Sequence, residues 1–145
     1  MPASWKLKRD ARPQAYVKKD EAATSYASRT MMWSGPIILA LVLFHLAQFT
    51  FGAVHPGAPF DAHNVYNNVV LGFAVWPVSL FYIIAMTMLC YHLYHGMWSM
   101  FQSLGLSHPV YTPWLRMLAK VFAILIAIGY ISIPVAVLAG VIKPV

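Results

Sequence analysis

Two histidines, His92 and His95, lie three residues apart near the end of one apolar stretch, and His45 lies inside an earlier one. Neutral imidazole is a good ligand for iron and for zinc. A zinc site needs several ligands at one level, and neither stretch contains an Asp or Glu that could join the histidines. Haem iron takes two axial ligands, and haem b is commonly held between membrane helices. These residue types therefore favour haem over zinc.

A purely structural role is the alternative for His45 and His92. A polar side chain deep in a membrane is costly unless it faces a partner, so each imidazole could instead donate a hydrogen bond to a neighbouring helix. His95 lies one turn beyond His92 on roughly the same face, and we expect it to support His92 or a haem propionate. The remaining histidines, His55, His63 and His108, fall in predicted loops, where a solvated side chain is expected.

Composition places all of these residues in a membrane protein. Apolar residues make up 60% of the 145 residues and charged residues only 10%, against about 25% charged residues in soluble domains. Three apolar stretches, at about 31–52, 69–100 and 118–142, are each long enough to cross a ~30 Å hydrocarbon layer as a helix. The predicted fold is an all-α transmembrane bundle of three helices at 31–145, with a basic arm at 1–30.

The basic residues orient this bundle. Seven of the ten Lys and Arg residues precede residue 31, and the segment between the first two spans has none. Because Lys and Arg concentrate on the cytoplasmic side, we expect a cytoplasmic N-terminus in an inner, cytoplasmic membrane. The net charge of +6 is then a topology signal, and no nucleic-acid partner is predicted. Pro77 and Pro134 fall inside predicted spans, where they should bend the helices.

Depth separates the two candidate ligands. His45 lies fourteen residues beyond Met31, about 21 Å from the inner boundary at 1.5 Å per residue. His92 lies eight residues before Met100, about 12 Å from that boundary. The predicted difference of about 9 Å indicates that the two imidazoles do not share one haem. Each would need a partner histidine from elsewhere.

Three stretches together resemble the cytochrome b558-type membrane subunit of succinate dehydrogenase and fumarate reductase. They are SYASRTMMWSGPIILALVLFHL at 25–46, YHLYHGMWSMFQSLG at 91–105 and GYISIPVAVLAGVI at 129–142. The resemblance covers nearly the whole chain from about Arg12 onward. It implies two b haems, with His45 as a ligand of the outer haem and His92 as a ligand of the inner one. His95 is not implied as a ligand.

The chain resembles the last three of that family's five helices. In the family, the first two helices supply the second histidine of each pair. Here a second polypeptide could supply them, or the chain could be a fragment that lacks them. The third alternative is that the haems are ligated differently. The resemblance also implies a flavoprotein subunit that oxidises succinate, an iron–sulfur subunit on the cytoplasmic face, and menaquinone or ubiquinone as electron acceptor. The chain itself would carry electrons without performing succinate chemistry.

Other residues near the inner boundary have two interpretations each. Arg29 could bind a haem propionate or a quinone carbonyl through its rigid donor fork, or anchor the helix at phosphate. Ser28 and Ser34 could cap the helix start or bind quinone, and Pro36 is expected in the first helical turn. Trp98 could line a quinone pocket or belong to the aromatic belt. Gly96 could admit a macrocycle or a neighbouring helix.

The sequence therefore predicts a membrane anchor and cytochrome b subunit of a succinate:quinone oxidoreductase. Two alternatives remain open. One is an anchor of the same complex without haem. The other is a small transporter subunit, which the lack of an acidic residue in the spans disfavours, because proton relays usually use Asp or Glu.

Overall fold

The computed structural model describes residues 26–106 and 108–145, with side chains from residue 31 onward. This part of the chain contains helices and no strands. In chain order the elements are α1 (Tyr26–His45), a π-helical turn (Leu46–Thr50), α2 (Val65–Ala74), α3 (Trp76–Ser103) and α4 (Thr112–Leu138). The predicted all-α class with three spans is confirmed, since three helices are long and apolar enough to cross a membrane.

The helices do not begin and end where the apolar stretches do. The candidate spans are Met31–Thr50, Trp76–Ser103 and Thr112–Leu138, and α4 thus begins before the predicted position 118 and ends before 142. Hydropathy locates the part of a helix that lipid covers, whereas backbone hydrogen bonding continues into flanking polar residues. Because α1 already begins at Tyr26, Ser34 and Pro36 lie in its interior. Ser34 therefore does not cap the helix, and the prediction of Pro36 in the first turn was wrong.

A break at Val75 corrects the predicted second span, which was expected to be continuous from 69. Val75 is extended, with φ −79° and ψ 102°, and Pro77 lies in the first turn of α3. In an unbroken helix the N–H at position 77 would bond the carbonyl of Phe73, and proline has none to give. The buried hydroxyl of Ser79 donates to that carbonyl instead, at 2.6 Å. Pro77 therefore starts a helix, whereas Pro134 does lie inside α4 as predicted.

The three long helices form a row with α3 in the middle. In the described part of the chain α3 packs against both α1 and α4, while α1 and α4 do not pack against each other. A cluster of buried side chains joins the elements at one end; its members are Leu41, Val70, Phe73, Val78, Tyr82, Ala85 and Val137. On α4, the small residues Ala119 and Ala123 are buried four positions apart, which permits close helix contact. A row leaves both of its faces open to lipid or to another chain.

Candidate functional site

His92 is attached to the neighbouring helix by a buried serine. Its Nδ1 atom lies 3.0 Å from Oγ of Ser34 on α1, and the same hydroxyl lies 3.1 Å from the backbone carbonyl of Met31. Ser34 is completely buried, whereas His92 is half-buried. The ring is therefore held at one nitrogen by the chain itself, and its second nitrogen, Nε2, makes no hydrogen bond to any side chain or backbone described.

His45 lies at the last position of α1, directly before the π-helical turn. Its side chain is exposed on the isolated chain. Its ring lies 5.5 Å from that of Phe49 and 6.2 Å from that of Tyr82, between centroids, and it forms no hydrogen bond within the described residues. The interhelical hydrogen bond that the structural alternative requires is thus present at His92 and missing at His45.

The contacts between α1 and α3 fix the relative depth of the two histidines. Ser34 faces His92, and His45 faces Tyr82, so the helices are antiparallel. Eleven residues of α1 separate Ser34 from His45, which is about 16 Å along the axis, and ten residues of α3 separate Tyr82 from His92, which is about 15 Å. The predicted 9 Å is too small, because His92 lies opposite Ser34, only three residues beyond Met31, and so closer to the level of Met31 than a count back from Met100 indicated. Two sites at separate levels remain the consistent interpretation.

The surroundings of His92 have room for a flat group. Gly96 lies one turn beyond it on α3, and a methyl group added there would meet nothing within 4 Å. No group of three or more His, Cys, Asp or Glu side chains that could hold a metal ion occurs in the described residues. One imidazole with a free Nε2 beside an open glycine could help to hold a haem if another protein segment supplied a second ligand.

The other candidates lie towards the end of the bundle where α1 begins, α3 ends and α4 begins. Trp98 is half-buried, and the guanidinium of Arg116 on α4 lies 4.5 Å from its ring centroid, a cation–π contact that joins α3 to α4. His95 is half-buried and makes no hydrogen bond with any described group. Ser28 and Arg29 belong to α1, but their side chains lie outside the described residues, so the structure places neither of them in a site.

The loop histidines differ from one another. His63 and His108 are exposed, as predicted. His55 is half-buried, and its two ring nitrogens lie 2.8 Å from the carbonyl of Ala58 and 3.0 Å from that of Asn68. The expectation of a solvated side chain was wrong for this residue, because the loop folds back over the first turns of α2. His55 therefore holds the loop against that helix.

Sequence reasoning missed a buried polar pair beside His45. Gln48, in the π-helical turn, is fully buried, and Tyr82 on α3 is 4% exposed. The Tyr82 hydroxyl donates to Oε1 of Gln48 at 3.1 Å, while Nε2 of Gln48 has no hydrogen-bond partner in the described chain. A π-helical turn adds a residue to the helical turn, which directs Gln48 inwards. Only the unusual placement of a glutamine in an apolar segment pointed to this contact.

An apolar groove of about 410 Å³ lies between the last turns of α1 and the first turns of α3. Its lining residues are Ala40, Phe44, Pro77, Val78 and Phe81. A quinone headgroup needs hydrogen-bond donors at its carbonyl oxygens, and these side chains offer none. The groove is therefore a poor match for a quinone site.

Comparison with known proteins gives one family. The family described as the succinate dehydrogenase/fumarate reductase transmembrane subunit matches residues 6–138. No curated protein and no solved structure was found to match the chain.

Proposed function

Because the chain belongs to the family of succinate dehydrogenase/fumarate reductase transmembrane subunits, we propose that it is the membrane anchor and cytochrome b subunit of a succinate:quinone oxidoreductase. In this proposal it conducts electrons from an iron–sulfur subunit to menaquinone or ubiquinone through haem b, and the oxidation of succinate takes place in a flavoprotein subunit. When bound, haem b supplies a one-electron carrier in a site of low polarity.

The haem proposal rests on the hydrogen bonding of the His92 ring and on the open space beside it. The chain holds one nitrogen of this ring through Ser34 and leaves Nε2 without a partner in the described residues, beside an open position at Gly96. An interhelical hydrogen bond alone would not require the glycine. His45 is exposed in an apolar segment and forms no hydrogen bond within the described residues. It is therefore the candidate for a second haem ligand, about 15 Å from the level of His92 along the pair of helices.

Each proposed haem needs a second axial ligand from another segment. Most of each long helix is unburied within this chain, and His45 is exposed, so further helices have room to pack beside the two histidines. We expect another membrane chain, or further helices of the same subunit, to supply these histidines. This completes a bundle that the described residues form only in part.

The inner end is the proposed docking side for the iron–sulfur and flavoprotein subunits. The basic residues of the arm at 1–30 precede α1 in the sequence, and Arg116 lies at the end of the bundle where α1 begins. We therefore assign this end and the N-terminus to the cytoplasmic side of an inner membrane. Trp98, held by Arg116, lies near the same end together with Ser28 and Arg29 of α1. These residues are the proposed wall of a quinone site close to the inner haem.

Haem stoichiometry of the purified complex tests the proposal. His92→Ala removes the inner ligand and His45→Ala the outer one, so each variant is expected to lose one haem from the reduced-minus-oxidised spectrum. Membrane insertion should persist, because it depends on apolar length. His63→Ala, at an exposed loop histidine with no proposed role at either haem, is the matched control and should retain both haems.

Three results would contradict the proposal. A wild-type complex without b-type absorbance would establish the alternative of an anchor that holds no haem. Unchanged haem content in His92→Ala would show that another residue is the inner ligand. Failure to co-purify with a flavoprotein and an iron–sulfur protein would reject membership of the complex and favour the transporter alternative.

A further inference from the structure

We infer that Ser34 is a positioning residue that selects the tautomer of His92 and thereby presents Nε2 of its ring as the haem ligand. This inference rests on the proposed haem ligation by His92. It adds a role for Ser34, which the sequence predicted only as a helix cap or a quinone contact.

The argument begins with the single proton of the Ser34 hydroxyl. Oγ lies within hydrogen-bond distance of two atoms, the carbonyl oxygen of Met31 at 3.1 Å and Nδ1 of His92 at 3.0 Å. A carbonyl oxygen only accepts, so the hydroxyl proton must be the one that serves Met31. Both contacts are then satisfied only if Nδ1 carries a hydrogen and donates it to Oγ.

Because Ser34 is buried, these groups have no other favourable hydrogen-bond arrangement. Ser34 has no exposed surface, so water does not compete for its hydroxyl. If the hydroxyl instead donated to Nδ1, two oxygen lone pairs would face each other at 3.1 Å without a hydrogen between them, which is unfavourable in an apolar interior. The hydrogen-bond network therefore assigns the Nδ1–H form of His92.

The consequence concerns the other ring nitrogen. A neutral imidazole carries one N–H, so a hydrogen on Nδ1 leaves a lone pair on Nε2. A hydrogen bond at the nitrogen that does not bind metal is the usual device for fixing the tautomer and orientation of a histidine ligand. A hydroxyl that itself donates to a carbonyl is polarised and accepts more strongly. Ser34 should thus make Nε2 a better electron donor as well as aim it.

The test compares Ser34→Ala with Ser34→Thr in the complete complex. Ser34→Ala removes the acceptor for Nδ1–H, and loss of such a partner typically lowers metal-site affinity about 10–100-fold. We expect that loss for the haem at His92 alone, together with altered electron paramagnetic resonance g-values and a raised reduction potential of any haem retained there. Ser34→Thr keeps the hydroxyl and should restore all three. The haem at His45 should be unchanged.

Ser79→Ala is the matched control, because Ser79 is also a fully buried serine that donates to a backbone carbonyl, but it does not contact His92. It should leave the inner haem signal as in the wild type. If Ser34→Ala also leaves affinity, g-values and potential unchanged while His92→Ala loses the haem, the positioning role is wrong and the proposed function stands. If His92→Ala keeps the haem, both the ligand assignment and the role of Ser34 are overturned.

Discussion

Replacing Tyr82 with phenylalanine removes the one hydrogen bond that joins the π-helical turn to α3. The ring and its packing against Phe73, at 4.9 Å between centroids, remain, so the change is confined to the hydroxyl. Oε1 of Gln48 then loses its partner, and Nε2 of the same side chain already has none in the described residues. The variant therefore leaves a buried amide without any hydrogen bond from a side chain.

The size of the effect follows from where the pair lies. Hydrogen bonds between membrane helices average about 0.6 kcal/mol and reach about 1.7 kcal/mol. Gln48 has no exposed surface and Tyr82 only 4%, so neither water nor lipid headgroups can replace the lost partner. Tyr82→Phe should therefore fall near the upper end and lower the free energy of unfolding by about 1.5 kcal/mol.

A double-mutant cycle with Gln48→Met separates the hydrogen bond from packing. Methionine keeps the approximate volume of glutamine without its amide, so in that background the Tyr82 hydroxyl has nothing to bond. Tyr82→Phe should then cost less than about 0.5 kcal/mol, and the coupling energy should be about 1 kcal/mol or more. The measurement is unfolding of the purified chain in mixed detergent and SDS micelles, followed by circular dichroism.

An equal cost of Tyr82→Phe in both backgrounds would refute this reasoning. It would show that the hydroxyl and the amide do not interact, and that the phenol contributes through its packing alone.

Two glycines give further predictions. Gly72→Ala should lower the free energy of unfolding by about 1–3 kcal/mol in the same assay, since its new methyl group would lie 2.7 Å from Nε2 of the buried Gln48; an unchanged value would mean that the amide can move away. Gly96→Leu should not lower that free energy, because a Cβ atom at this position would meet nothing within 4 Å in the described chain and leucine is a better helix former than glycine. It should nevertheless lower the haem retained at His92 in the assembled complex, and wild-type haem content would show that no macrocycle passes over this glycine.

The sequence by itself determined that the chain crosses a membrane and that two imidazoles lie within it at different depths. Both conclusions depend on local properties. Twenty apolar residues must form a helix in lipid because their backbone groups have no other partner, and a constant rise per residue converts position into depth. The three spans, and His45 and His92 as the residues to test, follow from these two facts without knowledge of any contact.

The tertiary structure decided the register of α1 against α3, and with it every relationship between the helices. That register depends on how side chains far apart in sequence fit together, such as Ser34 with His92 and Gln48 with Tyr82, and no local pattern encodes it. The break before Pro77, in contrast, is local, because proline lacks the N–H that would bond the carbonyl of Phe73, and Ser79, six residues beyond Phe73, bonds that carbonyl instead. The depth of a residue could thus be counted along its own helix. The distance between two sites on different helices could be obtained only from the way those helices pack.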